Sequence, residues 1–284
     1  MTLERKEPMA QQTERQGDSD DSGFALLAVL GFILLFAMFL APFAAFSRLK
    51  ALTVGHEYNQ ARLRNAVQAI NGYIAWRIGA DPRWRGVVDS GGLFASECAI
   101  KDVSMKIAII PHVSLINLNT AEEPLMVAGF KGIGLSGIDA QNTAQKVMRF
   151  RSPATGNGDD RGIDAGPKHA PFEDISELHD FEALRRIALA DLGHVFSVRE
   201  GRAILSRLKE TGGASMFYTI ETVLFDGDDW TGAASVFSAA TRSGPSQKVA
   251  TIDVETKPPV PKSRGSCASL LDGDVTRVLE EVLT

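Results

Sequence analysis

Apolar positions follow three different patterns along the chain. The first has no polar side at all: FALLAVLGFILLFAMFLAPFAAF, Phe24 to Phe46, runs for 23 residues without a charge. A helix rises 1.5 Å per residue, so this run reaches about 34 Å, enough to cross the hydrocarbon core of a bilayer. A secretory signal has a shorter apolar region followed by a small-residue cleavage site, and none follows here. A core helix of this length would keep polar positions on one face. A retained membrane helix over 24–46 is therefore expected. The second pattern is helical: Leu63, Ala66, Val67, Ile70, Ile74 and Ile78 recur at intervals of three and four, with Arg62, Arg64, Asn65 and Gln68 on other faces. Gly79 and Asp81-Pro82 form a stop signal. The spacing predicts a helix from Phe24 to Ile78, with two helices joined near Gly55 as the alternative.

The third pattern is short runs of β-formers. Met105–Ile110 and Val113–Leu118 read as strands around Pro111. Ser215–Phe225, Ala233–Ala239 and Lys248–Glu255 read as an antiparallel meander, turning at Asp226–Asp229 and Ser243–Pro245. Between these groups the pattern returns to helix. Asn119 or Thr120 is placed to cap a helix with Glu122 and Glu123 in its first turn. Gly129, Gly132, Gly134 and Gly137 then lead to a second helix, Ala140–Phe150, which gives a helix–hairpin–helix unit. A stretch rich in Gly, Pro and Asp follows, from Ser152 to Pro171. Asp174 then caps a predicted helix whose apolar face holds Ile175, Leu178, Phe181, Leu184 and Ile187. Pro258, Pro259 and Pro261 mark a linker, and Asp274–Leu283 a short amphipathic helix.

Composition narrows the function. A net charge of −5 does not suit a protein that coats nucleic acid. Helix–hairpin–helix units can grip nucleic-acid backbones, which makes a membrane-anchored DNA receptor the rival reading. From Asn117 to Arg151, however, Lys131, Lys146, Arg149 and Arg151 face Glu122, Glu123 and Asp139, too little positive charge for several phosphate contacts. No nucleic-acid partner is expected. GIGLSG, Gly132–Gly137, fits a dinucleotide fingerprint in letters only, because a helix and not a strand precedes it. The five histidines are scattered, no G-x-S-x-G elbow is present, and no enzyme is expected. Cys98 and Cys267 are either two thiols or one long-range disulfide, the latter favoured in an oxidising compartment. Asp159, Asp160 and Asp164 lie on the glycine-rich stretch GNGDDRGID, which reads first as a solvated loop, with an oxygen-only calcium site as the alternative.

Several motifs occur in the order of a known family. Residues 1–23 are polar, without apolar periodicity, and end in Gly23 directly before Phe24. This junction resembles type IV pilins and pseudopilins, whose prepilin peptidase cuts after such a glycine and whose new N-terminus is methylated. The resemblance implies a disordered leader (1–23), cleavage between Gly23 and Phe24, and Phe24 as the mature N-terminus. Most members carry glutamate at the fifth mature position, here Ala28, and the minor subunit at the fibre tip typically lacks it. Asn117-Leu118-Asn119-Thr120 and the later Pro171-Phe172…Glu177-Leu178 are similar to elements of the K-type minor pseudopilin of the type II secretion system. The family also binds calcium through carboxylates in its helical domain, although its acidic segment before the loop is replaced here by Arg149–Pro153.

The implied fold is α+β: a transmembrane helix continuing into a pilin-like helix with first strands (47–116), an inserted all-helical domain of helix–hairpin–helix or SAM-like type (117–210), C-terminal strands (211–255) completing an antiparallel sheet, and a linker with a short helix (256–284). The implied partners are I- and J-type minor pseudopilins, the pseudopilus, the inner-membrane secretion platform and prepilin peptidase. The implied location is the inner membrane, single-pass, with the C-terminal domain in the periplasm. The acidic leader and the cations Arg48 and Lys50 after the membrane run give the opposite orientation by the positive-inside rule.

Overall fold

The computed structural model describes residues 20–91, 94–152, 168–204, 214–239, 246–261, 265–267 and 270–283. By compactness the chain divides between Tyr58 and Asn59, and the two parts are described separately. The first part is helical throughout its described length. It belongs to helix α1, Asp20–Ala80, which is unbroken at Pro42 and Gly55 and starts before Phe24, inside the expected leader. The rest of that leader, residues 1–19, lies outside the described residues.

In the second part, α1 buries one stripe. Leu63, Val67, Ile70, Ile74 and Ile78 are all at most 1% exposed, as the three-and-four spacing requires. The stripe packs on a six-stranded sheet built from β1 (Phe94–Ile100), β2 (Val103–Pro111), β5 (Phe217–Asp226), β6 (Asp229–Ser238), β7 (Gln247–Asp253) and β8 (Gly265–Ser266). Their order is β7-β6-β5-β2-β1-β8, antiparallel except for β1–β8. Met105, Ile107 and Ile109 of β2 and Tyr218, Ile220 and Leu224 of β5 supply the face under α1. A polar side chain of α1 sits inside this contact. Asn71 is fully buried and donates to the carbonyl of Ala233 (3.0 Å) and to Ser235 Oγ (3.3 Å), while Thr222 donates to its Oδ1 (2.7 Å).

β2 and β5 are hydrogen-bonded neighbours, from Ser104 opposite Phe225 to Pro111 opposite Tyr218. The described chain between them holds β3 (Ile116–Asn117), α3 (Glu123–Gly132), α4 (Gly137–Arg151), two 3₁₀ turns at Ile175–Asp180 and Glu182–Leu184, α5 (Leu189–Gly193) and β4 (Phe196–Ser197). These elements have their own core around Phe130, Phe150, Phe172, Phe181 and Phe196. Where this segment leaves and rejoins the sheet, β3 and β4 pair in parallel and Arg202 bridges Ile116. Gly201, at φ +140°, makes that closure possible, because a Cβ there would stand 2.5 Å from the carbonyl oxygen of Leu115.

Several elements differ from the sequence expectation. α3 is preceded by Glu122, not capped by Asn119 or Thr120, because Asn119 is used elsewhere and Pro124 sits in the first turn of the helix. The single helix expected after Asp174 is two 3₁₀ turns separated by an extended Phe181. Ile175, Leu178, Phe181 and Leu184 are spaced by three, and three residues per turn is the 3₁₀ period. β2 runs through Pro111, and Val113–Leu118 supplies only the two residues of β3. The stop signal Asp81-Pro82 also starts a helix, α2 (Pro82–Gly91), where Asp81 Oδ1 accepts from the amides of Arg83 and Trp84. The expected linker contributes more than a connection. Cys267 forms a disulfide with Cys98, and Leu270, Leu271, Leu279 and Leu283, with helix α6 (Gly273–Val282), join the main core.

Asn71→Ala should leave the buried hydroxyls of Thr222 and Ser235 without their partner in the core, at a cost of about 2–4 kcal/mol. In a part of this size that lowers the midpoint of a tryptophan-fluorescence melt in detergent by roughly 5–10 °C. The exposed neighbour Gln68→Ala should leave the midpoint nearly unchanged.

Candidate functional site

The apolar start of α1 is one candidate. From Leu26 to Phe46 its large side chains are exposed, Leu34 at 70% and Phe39 at 74%, and the helix is long and apolar enough to cross a membrane. Among the described residues it is the one helix of that kind. Ala28 is exposed on it, and Gly23 and Phe24 lie within its first turns. Nothing on this stretch offers a charge from Leu26 to Ser47; its available chemistry is apolar contact.

The second candidate is where the two sequence motifs of the helical segment meet. Asn117 Oδ1 accepts from the amides of Asn119 (2.8 Å) and Thr120 (3.2 Å), which turns the chain out of β3. Asn119 then faces the second motif. Its Oδ1 accepts from the amide of Phe172 (2.7 Å), and its Nδ2 donates to the carbonyls of Phe172 (2.9 Å) and Val198 (3.1 Å). An amide side chain matched to both backbone groups of one residue acts as a clasp. Beyond Pro171 and Phe172, Glu177 Oε1 accepts from the amides of Glu173 (2.7 Å) and Asp174 (3.0 Å), completing a capping box with Asp174. Phe172 and Leu178 are buried in the segment's core. Arg151, which sequence reasoning did not single out, donates to the carbonyls of Leu118 and Ala121, and burial holds its guanidinium below its usual pKa. All these side chains organise backbone.

A third group joins the helical segment to the sheet, and it is polar. His112 is buried, with Nε2 2.8 Å from Thr219 Oγ1 and Nδ1 2.7 Å from Ser197 Oγ. Desolvation, aided by Arg199, lowers its pKa to about 4, so it is neutral at pH 7. Glu200 Oε2 accepts from Ser215 Oγ (2.9 Å) and from the amides of Met216 (2.9 Å) and Phe217 (3.2 Å) at the entry to β5. His194 Nε2 lies 2.7 Å from Glu221 Oε2, and that hydrogen bond raises the His194 pKa above its ordinary 6.5. The histidines were visible in the sequence, but partners 27 and 107 residues away were not.

The hairpin between α3 and α4 is already satisfied internally. The amides of Ile133, Gly134 and Leu135 donate to the carbonyls of Gly129, Lys131 and Phe130. At the start of α4, Ser136 Oγ accepts from the Asp139 amide, and the Asp139 carboxylate occupies the positive helix end. A phosphate would therefore meet used amides and a carboxylate. His179 Nε2 lies 2.8 Å from the carbonyl of Ile187, which is a structural contact. Among the described residues no group of three metal-ligating side chains is gathered, and Asp159, Asp160 and Asp164 lie outside the described residues.

No family model matches the chain, and no curated protein matches it. Among solved structures it is similar to a chain of the crystal structure of the GspK-GspI-GspJ complex from the enterotoxigenic Escherichia coli Type 2 Secretion System. The identity is 10% and the TM-score 0.44, over 72% of this chain and 99% of that one.

Two outcomes test this geometry. Asn119→Ala should speed hydrogen exchange of the Phe172 amide at least tenfold and cost about 2 kcal/mol, whereas Asn119→Asp, which keeps the acceptor but turns a carboxylate oxygen on the carbonyls of Phe172 and Val198, should leave that amide protected and still destabilise the segment. The two histidines should give pH effects of opposite sign. His194 has a raised folded pKa, so its contribution is present below 6.5 and is lost as pH rises through the raised value. His112 has a depressed one, so its contribution is present above 6.5 and is lost as pH falls toward about 4. In melts from pH 4 to 9, His194→Gln should flatten the alkaline side and His112→Asn the acid side.

Proposed function

We propose that the chain is a K-type minor pseudopilin of a type II secretion system, an assembly subunit and not an enzyme. The observation that carries this reading is the two-part character of α1. It exposes a charge-free apolar run just after Gly23-Phe24, and from Leu63 to Ile78 it buries a regular stripe against an antiparallel sheet. A tether alone needs only the first. A subunit that moves from lipid into a fibre uses an apolar helix in both settings, against lipid and then against partner helices.

In this reading Gly23–Phe24 is the processing site and Ala28 leaves out the carboxylate that would pair with a subunit ahead, which suits a place at the tip. The chain from β3 to Arg202 is the inserted helical domain. It nucleates or caps the pseudopilus together with I- and J-type minor pseudopilins, and its width limits further addition. The anchor lies in the inner membrane with the sheet on the periplasmic side, where a disulfide between Cys98 and Cys267 persists. The loop with Asp159, Asp160 and Asp164 is a proposed calcium site.

Coexpression with prepilin peptidase should yield a protein lacking residues 1–23, with Phe24 as its N-terminus by intact mass. A protein that keeps Met1 under those conditions would overturn the reading. Duplex-DNA binding by the full chain in detergent at low salt would favour the receptor instead.

A further inference from the structure

The end of the apolar run of α1 carries positive charge that no nearby carboxylate on the helix balances. From Phe24 to His56 the chain has no acidic residue, while Arg48 and Lys50 follow Phe46 by two and four positions. Both side chains are exposed. Ion pairs within a helix form at spacings of three or four, and the next carboxylate, Glu57, stands seven positions past Lys50.

The run itself fixes the depth of the two cations. Placing Phe24 and Phe46 at the two boundaries of a hydrocarbon core of about 30 Å takes a tilt of about 20–30°. At 1.5 Å per residue, Arg48 then stands about 3 Å and Lys50 about 6 Å beyond the boundary. The headgroup layer on each side is about 5–7 Å thick, so both cations lie within it. Glu57, about 16 Å beyond the boundary, lies outside. Residues two apart on a helix point about 200° apart round its axis, so the two cations meet different lipids. Leu49 and Leu52, 61% and 65% exposed, keep apolar surface at the same level.

We infer that this turn of α1 is a binding site for anionic phospholipid, with one headgroup phosphate on Arg48 and a second on Lys50. The guanidinium offers parallel N–H donors to two phosphate oxygens, and the ammonium offers a compact charge. A zwitterionic lipid carries the same phosphate, but its own cation competes for it. An anionic lipid has no such competitor, and gains about fivefold in binding per basic residue. The inference rests on the apolar run crossing a bilayer. It does not depend on the kind of assembly the chain joins, nor on which side of the membrane the cations lie.

Two measurements on the full chain separate the lipid site from the anchor. Flotation with phosphatidylcholine vesicles after reconstitution reads the anchor alone, and the double variant Arg48→Gln, Lys50→Gln should float as well as the parent. Native mass spectrometry from detergent micelles, with phosphatidylglycerol or phosphatidylcholine at equal concentration, reads the lipid site. The parent should retain up to two phosphatidylglycerol molecules, at least about tenfold more strongly than phosphatidylcholine. Each single variant should retain one, and the double variant should show no preference. Equal retention of both lipids by the parent, or a preference that survives in the double variant, would overturn the inference and leave the anchor standing. Displacement of the lipid by inorganic phosphate at the same concentration would mark a free-anion site and overturn it too. A parent chain that does not float overturns the anchor reading, and the lipid site with it.

Discussion

The pairing of β2 with β5 is the constraint on which the rest of the second part depends. These strands are adjacent in the sheet, yet Pro111 and Tyr218 are more than a hundred positions apart in the chain. Everything between them must leave the sheet and return to nearly the same point. That explains the short parallel pair of β3 and β4, the bridge from Arg202, and a glycine at position 201, where any side chain would strike the Leu115 carbonyl. It also explains why the helical segment has its own aromatic core. A segment tied at both ends but lying outside the main core has to bury apolar surface within itself.

The sheet has two unlike faces, and each binds its neighbour by different physics. Under α1 the contact is mainly apolar, with Asn71, bonded to Thr222 and Ser235, fixing the helix against β5 and β6. Burial dominates that contact, and the amide adds direction to it. Against the helical segment Ile252 packs on the segment's core, and the other contacts are hydrogen bonds and an ion pair from His112, His194 and Glu200. Such bonds contribute modestly in net terms but are specific in geometry. The helical segment is thus placed accurately without being fused into the main core.

Much of this was legible in the sequence, and the misses have physical causes. The membrane run, the stripe of α1 and the strands β5 to β7 declare themselves through period alone. The 3₁₀ turns were also written there, since Ile175, Leu178, Phe181 and Leu184 recur at three with no position at four. Asp81-Pro82 ends one helix and begins another, because a residue that caps α2 also breaks α1. β1, FASECAI, carries few β-formers, and its place depends on β2 and on the disulfide. For the candidate sites, Asn117, Asn119, Phe172 and Glu177 stood out as motifs, yet only the fold shows that Asn119 clasps Phe172. Arg151 and the partners of His112 and His194 left no local signal, because their contacts span many residues. Gly23 and Phe24 were read from sequence order, and their helical backbone adds no chemistry to that reading.

The Cys98–Cys267 bond bears on the order of events as the chain is made. The two cysteines are 169 positions apart, and β1 pairs with β8 beside them. A ribosome delivers β1 long before β8, so one side of the sheet waits uncovered for most of synthesis. Leu270, Leu271, Leu279 and Leu283 arrive later than every strand of the sheet, and they close the core under the end of α1. A chain cut before Cys267 would leave the core unsealed and Cys98 without its mate. The core of the second part therefore closes only after the chain through Leu283 has emerged.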